Sequence, residues 1–173
     1  MTSWYVITGG PSSGKTTTVN LLRDRGYTTT IEHARHYIDL QRIEGRTVEE
    51  VRARQREFQH GVLTMQLEQE ANLDPAQTVF LDRALPDSLA YYRFLDIEPD
   101  TKLLDALPHV AYRKTFILDL LPLAPDYART EDLDAQIRIH ALLTEVYQDL
   151  PIPVVKVPVL DAADRVAFIL DRL

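Results

Sequence analysis

The sequence predicts an α/β protein: a five-stranded parallel sheet with helices on both faces. Three observations carry that prediction. Short apolar, β-branched runs alternate with helix-period runs along the whole chain. The runs are apolar at consecutive positions rather than at every second one, which is the pattern of strands buried on both faces. A glycine-rich stretch, GGPSSGKTT, stands between the first such run and the first helical run, where a sheet of this kind can receive an anion at a helix N-terminus.

Each element has its own signal. WYVIT (Trp4–Thr8) is the first strand. SGKTTTVNLLRDRG continues as a helix with Val19, Leu21 and Leu22 on its apolar face and Gly26 as its stop. YTTTIE is a second strand, and HARHYIDLQRI is a helix that EGR breaks. TVEEVRARQREFQHGVLTMQLEQEAN reads as one long helix, opened by Thr47 and Glu50 in a capping box. TVFLD (Thr78–Asp82) is the third strand, and PDSLAYYRFLD is a helix with Pro86 near its first turn. RKTFILDL, DAQIRIHALLTEVYQDL, PVVKVP and AADRVAFILDRL then complete the pattern as strand, helix, strand and helix. At 173 residues, with no linker-like or repeated segment, the chain reads as one domain, 1–173.

Composition narrows the function classes. The formal net charge of −7 argues against nucleic acid as a partner, which calls for a basic face. It leaves room for a small anionic ligand at a local cluster of positive charge. The absence of cysteine excludes disulfides, thiolate metal sites and a cysteine nucleophile. The first residues lack the pattern of a signal peptide, and no window approaches the roughly 20 apolar residues of a membrane span. A cytoplasmic protein is expected.

Ligands of such sheets gather at the carboxyl ends of the strands, so the residues after each strand are the candidates. Gly9, Gly10, Pro11, Ser12, Ser13, Gly14, Lys15 and Thr16 fit G-x-x-x-x-G-K-[ST]. Glycines let the backbone approach a ligand closely, and successive N–H groups surround phosphate oxygens. With Thr17 these residues form the expected nucleotide-binding P-loop. Lys15 would reach the β- and γ-phosphates, and the Thr16 hydroxyl would coordinate Mg²⁺.

Glu32 follows strand two, as a general base toward an acceptor hydroxyl or as help for the metal. Arg35 stands one helical turn on, to pair with Glu32 or with substrate phosphate. Strand three ends in Asp82, the metal-side acid that reaches Mg²⁺ directly or through water. Arg83 follows, near the transferred phosphoryl group. An arginine there, rather than a second acid, is the small-molecule kinase pattern and not that of ATP-hydrolysing motors.

Asp87, Tyr91 and Tyr92 are candidates for an acceptor pocket. Adjacent tyrosines cannot share one helix face, so at least one belongs to the core. The proline-rich segment around 121–138 is the natural lid, with Arg129 and Arg138 reaching the γ-phosphate, unless Arg129 pairs with Glu131 or Asp132. PVLDAADR falls near the adenine by its place in the fold alone. His33 and His36 lack a third ligand at zinc spacing. No N-K-x-D guanine motif accompanies Asp119, which favours ATP over GTP.

Taken together, GGPSSGKTT, IEHARHYI, FLDRALPDSLAYYRFL, the YARTED–RIH–LLTEVYQDL stretch and VVKVPV–DRVAFIL resemble the AAA-domain ATPase-like P-loop family. That family includes the ribosylnicotinamide kinase domain of the bifunctional NAD-biosynthesis regulator. The resemblance runs from Met1 to Leu173. Its members look closer to nucleoside and nucleotide kinases than to ring-forming motors. The resemblance implies strand order 2-3-1-4-5 and carries the P-loop roles to Lys15 and Thr16. It makes Glu32 the candidate base, gives Asp82 and Arg83 the acid-arginine role, and gives Arg129 and Arg138 the lid role.

The expectation is an ATP- and Mg²⁺-dependent kinase that moves the γ-phosphate to the hydroxyl of a small, nucleoside-like acceptor. The alternative is an ATPase or nucleotide-dependent switch acting on a protein or RNA partner, with the long helix as its surface.

Overall fold

The computed structural model describes residues 1–35, 37–38, 44–121 and 133–173, with the backbone alone at 52. Its strands are β1 (Trp4–Thr8), β2 (Thr28–Thr29), β3 (Val79–Asp82), β4 (Lys114–Leu118) and β5 (Val154–Val157). All pairings are parallel, and the order is β2-β3-β1-β4-β5. Among the described residues the main helices are α1 (Lys15–Asp24), α2 (Val48–Ala53), α3 (Gln55–Ala71), α4 (Leu85–Phe94), α5 (Thr101–Ala106), α6 (Leu133–Gln148) and α7 (Ala162–Leu170). Residues 33–35 and 37–38 are also helical, and the rest of the helix expected over 33–43 lies outside the described residues.

The strands' two-residue alternation sorts their side chains into two cores. Tyr5, Ile7, Phe80, Phe116, Leu118 and Val157 face Val19 and Leu22 of α1 and Val166 and Ile169 of α7. Trp4, Val6, Val79, Leu81 and Ile117 face the opposite way, with Tyr147 of α6, Tyr112 and Ile152. Each aliphatic side chain buried in this way contributes about 1.5–3 kcal/mol. On the second face the outer helices pack on one another. Ala90 of α4 meets Ile139, Leu143 and Val146 of α6, and Leu63 of α3 meets Leu85, Tyr92 and Leu103.

Three expectations about elements change. The long helix over 47–72 is two helices, α2 and α3, parted where Arg54 leaves the helical region at φ −94° and ψ 59°. On an unbroken helix Val51 and Gln59 would lie about 80° apart. Both are buried, at 3% and 5% exposure, on either side of the break. The capping box at Thr47 and Glu50 is present. The second strand is two residues long at the sheet edge, although Thr30 N–H still bonds Phe80 C=O. Helix α5 and the 3₁₀ turn Leu107–His109, which follow Pro99 and an Asp100 cap, have no counterpart in the sequence reading. Among the described residues, no helix is long and apolar enough to cross a membrane.

Candidate active site

Strand β1 delivers Gly9–Gly14 to the carboxyl edge of the sheet, and α1 begins at Lys15. Gly9 (φ 148°) and Gly14 (φ 81°) adopt backbone conformations that other residues resist. A Cβ on Gly9 would stand 2.6 Å from Leu118 O and 2.7 Å from Ser13 Oγ. At the start of α1 no side chain caps the first turn and no acidic residue occupies it. Its free N–H groups and positive dipole end therefore remain available to an anion.

Lys15 is folded into this loop. Its Nζ donates to Gly9 O (2.8 Å) and Gly10 O (3.0 Å), with Ser13 Oγ at 3.4 Å. Burial lowers its pKa to about 8, and Arg83 adds to the effect while Glu32, Asp82 and Asp87 oppose it. Thr16 and Thr17 are exposed on the first turn.

Asp82 ends β3 in register with Ile7 of β1, beside the loop. It is 4% exposed, and its Oδ1 is buried without a hydrogen-bond partner. Desolvation, with Glu32 second, raises its pKa from 3.8 to about 6. A buried carboxylate oxygen lacking a donor is the kind of ligand a hard cation such as Mg²⁺ takes, and the Thr16 hydroxyl is exposed at the start of α1.

Arg83 follows in the left-handed conformation, φ 68°, with its N–H on Ile7 O at 3.0 Å. Strain of this kind in a non-glycine residue concentrates at functional sites. The Arg83 guanidinium pairs with Glu32, where Nη2 and Oε1 lie 3.2 Å apart, and lies over the Tyr91 ring at 5.1 Å. Glu32 lies three residues beyond the short β2, and Thr30 Oγ1 between them accepts Asp82 N–H at 2.9 Å. Lys15, Glu32, Asp82 and Arg83 thus meet at the ends of β1, β2 and β3.

The other candidates divide. Tyr91 joins the cluster through Arg83, whereas Tyr92 is core at 1% exposure. Asp87 is no open pocket wall. It is 3% exposed and accepts from Thr8 Oγ1 and Tyr147 OH (both 2.5 Å) and Ala84 N–H (3.1 Å), tying β1, α4 and α6 together. Arg138 is exposed, and its guanidinium lies 5.5 Å from the Phe94 ring centre. Arg129, His36 and the lid residues 122–132 lie outside the described residues. Arg35 is exposed, and Glu32 forms its ion pair with Arg83.

Sequence reasoning missed Arg165, Gln136 and His140. Arg165 of α7 is 4% exposed and donates to Ser13 O, Gly14 O, Thr18 Oγ1 and Leu160 O. A Cβ on Gly14 would collide with its guanidinium. An open depression of about 440 Å³ lies there, lined by Gly14, Thr17, Leu121, Leu160, Asp161 and Arg165 among others. Gln136 and His140 of α6 bond the loop backbone at Pro11 and Gly10. No local signal could reveal these partners, which lie more than a hundred positions away in the chain.

Known structures share this architecture. Deoxyadenosine kinase from M. mycoides with bound dATP superposes with a TM-score of 0.62 at 14% identity, covering 98% of each chain. Thymidylate kinase from Ehrlichia chaffeensis gives 0.63 at 15% identity, over 97% of this chain and 96% of that one. The NadR protein in complex with NR gives 0.62 at 19% identity, over 97% of this chain but 49% of NadR. No curated protein matches the sequence. The fold is that of P-loop nucleoside and nucleotide kinases. A family model described as an AAA domain matches residues 4–165, and the chain belongs to that family.

Proposed function

We propose that the protein is a P-loop phosphotransferase that moves the γ-phosphate of ATP to a hydroxyl of a small, nucleoside-like acceptor. The observation that carries this reading is the Glu32–Arg83 ion pair beside the uncapped loop, with the unpartnered Asp82 oxygen next to it. A carboxylate held at the loop's mouth by a strained arginine suits proton transfer from an acceptor hydroxyl. The deoxyadenosine kinase fold supports a nucleoside-like acceptor.

In this reading Lys15 leaves the loop carbonyls and binds the β- and γ-phosphates, and the amides at the start of α1 hold the remaining oxygens. Asp82 and Thr16 would hold Mg²⁺, which when bound neutralises phosphate charge. The acceptor oxygen attacks the γ-phosphorus, its proton passes to Glu32, and the bond to the β-phosphate oxygen breaks to release ADP. Arg83 fixes Glu32 and lies close to the developing charge. The Pro-rich segment would close over the site, with Arg129 and a displaced Arg138 as its cations. The depression at Gly14 and Arg165 would take the adenine.

The test is ATP consumption with Mg²⁺, with and without a panel of nucleosides and ribosides, and with Lys15→Ala as the blank. Stimulation by one compound, with a phosphorylated product of matching mass, is the expected result. Slow, Lys15-dependent hydrolysis that no small molecule stimulates would overturn the kinase reading in favour of a switch acting on a protein or RNA partner. Lys15→Ala should lower turnover by about 10² or more.

A further inference from the structure

The front of the nucleotide loop is held from α6 as well as by Lys15 of its own helix. Gly10 N–H donates to His140 Nδ1 at 3.2 Å, and Gln136 Nε2 donates to Pro11 O at 2.6 Å. Both bonds span the whole fold, over 130 and 125 positions. Gln136 is 1% exposed. A Cβ on Gly10 would stand 2.9 Å from His140 Cβ and 3.1 Å from Gln136 O, so α6 lies against bare backbone. The two side chains grip adjoining residues, one at an N–H and one at a C=O.

The grip has a condition. Nδ1 of His140 accepts a proton donor, so its lone pair must be free and the ring's single hydrogen must sit on Nε2. A doubly protonated imidazole has donors only. It would face the Gly10 N–H donor to donor, and the bond would be lost. Burial is the largest influence on the ring and favours its neutral form. Lys15 of α1 and Lys156 of β5 act in the same sense, and Asp119 beyond β4 acts against them. These are the charged groups that act on the ring among the described residues.

We propose that Gln136 and His140 are positioning residues for the nucleotide. Together they hold the Gly10–Pro11 backbone in its phosphate-receiving shape, and protonation of His140 releases that hold, so that nucleotide affinity falls as pH falls. The proposal rests on the reading of this loop as the ATP site. Sign and window follow from the ring's ionisation. A histidine held below its ordinary 6.5 keeps its acceptor role at neutral pH and loses it in acid.

The experiment has two readouts on the intact chain. NMR follows the His140 ring and the Gly10 amide against pH without nucleotide. Fluorescence titration with mant-ATP and Mg²⁺ gives Kd at roughly pH 7.5 and roughly pH 5.5, for wild type, His140→Asn and His140→Leu. Asparagine supplies an acceptor oxygen near the Nδ1 position but does not titrate. Protonation of the nucleotide and of Asp82 is common to all variants and cancels in the ratios.

The Gly10 amide should move in step with the His140 ring. Wild-type affinity relative to His140→Asn should fall between the two pH values, by less than about tenfold because a ring held below 6.5 is only partly protonated at roughly pH 5.5, and His140→Leu should be weak at both. Parallel pH curves for wild type and His140→Asn would overturn the proposal, as would a Gly10 amide that ignores the ring. If the amide follows the ring but no variant binds mant-ATP, the ATP reading of the loop fails, and the affinity claim falls with it.

Discussion

Replacing Asp82 with asparagine should move stability and turnover in opposite directions. The side chain is 4% exposed and its Oδ1 meets no donor, so the fold disfavours its charge. Its pKa rises from 3.8 to about 6, net of the attraction of Lys15 and Arg83. A raised carboxyl pKa means a contribution present below the unfolded value and lost as pH climbs through the folded one. At about pH 8 the wild type therefore carries an uncompensated charge worth up to about 3 kcal/mol. Asparagine carries none at any pH. Without metal, the stability advantage of Asp82→Asn should grow from near zero at about pH 4 to about 2–3 kcal/mol at about pH 8, a rise of about 4–12 °C in Tm. Denaturation in EDTA at both pH values measures this. ATP turnover with Mg²⁺ should fall by about 10² or more in the same variant. A variant less stable than wild type at pH 8 would refute the argument that Asp82 is kept ionised for a ligand. Near-normal turnover would remove the metal-side role.

Glu70 provides a contrast away from the loop. Its carboxylate accepts from Tyr112 OH, Gln66 Nε2 and Leu85 N–H, and desolvation lifts its pKa from 4.5 to about 7. The same sign rule applies, discounted because the residue is only partly buried. Glu70→Gln should gain about 1–2 kcal/mol over wild type between about pH 4 and pH 8, in denaturant melts, with turnover unchanged. Arg165→Met keeps the length of the side chain but removes the donor to Ser13 O and Leu160 O, while Gly14 O keeps the bonds from Thr18 N–H and Oγ1. It should lower stability by about 1–3 kcal/mol and weaken mant-ATP binding. Unchanged affinity with the full stability loss would make Arg165 a structural tie alone.

Much of the fold was legible because its signals are local. Glycines at positions 9, 10 and 14, a lysine and a threonine define the loop by conformational need and phosphate chemistry. Asp82 and Arg83 are legible because a buried strand stops there. Lengths and breaks were less legible. The break at Arg54 leaves no mark in the periodicity of the sequence, because the residues on either side are good helix formers and only the backbone at Arg54 departs. Strand β2 is two residues long, whereas the other edge strand, β5, is four, so strand length at the edge was not legible from apolar composition.

The sequence by itself determined the phosphate-loop chemistry, the parallel sheet and the acidic and basic residues at the strand ends. Tertiary structure alone decided their use. It gave Arg83 a strained backbone and Glu32 as its partner, left Asp82 Oδ1 without a donor, put Tyr91 at the site and Tyr92 in the core, and laid Arg165, Gln136 and His140 against the loop. The physical reason is range. Backbone conformation and hydrophobic period act over a few residues, whereas desolvation, ion pairing and backbone clamping depend on which distant segments the folded sheet brings together.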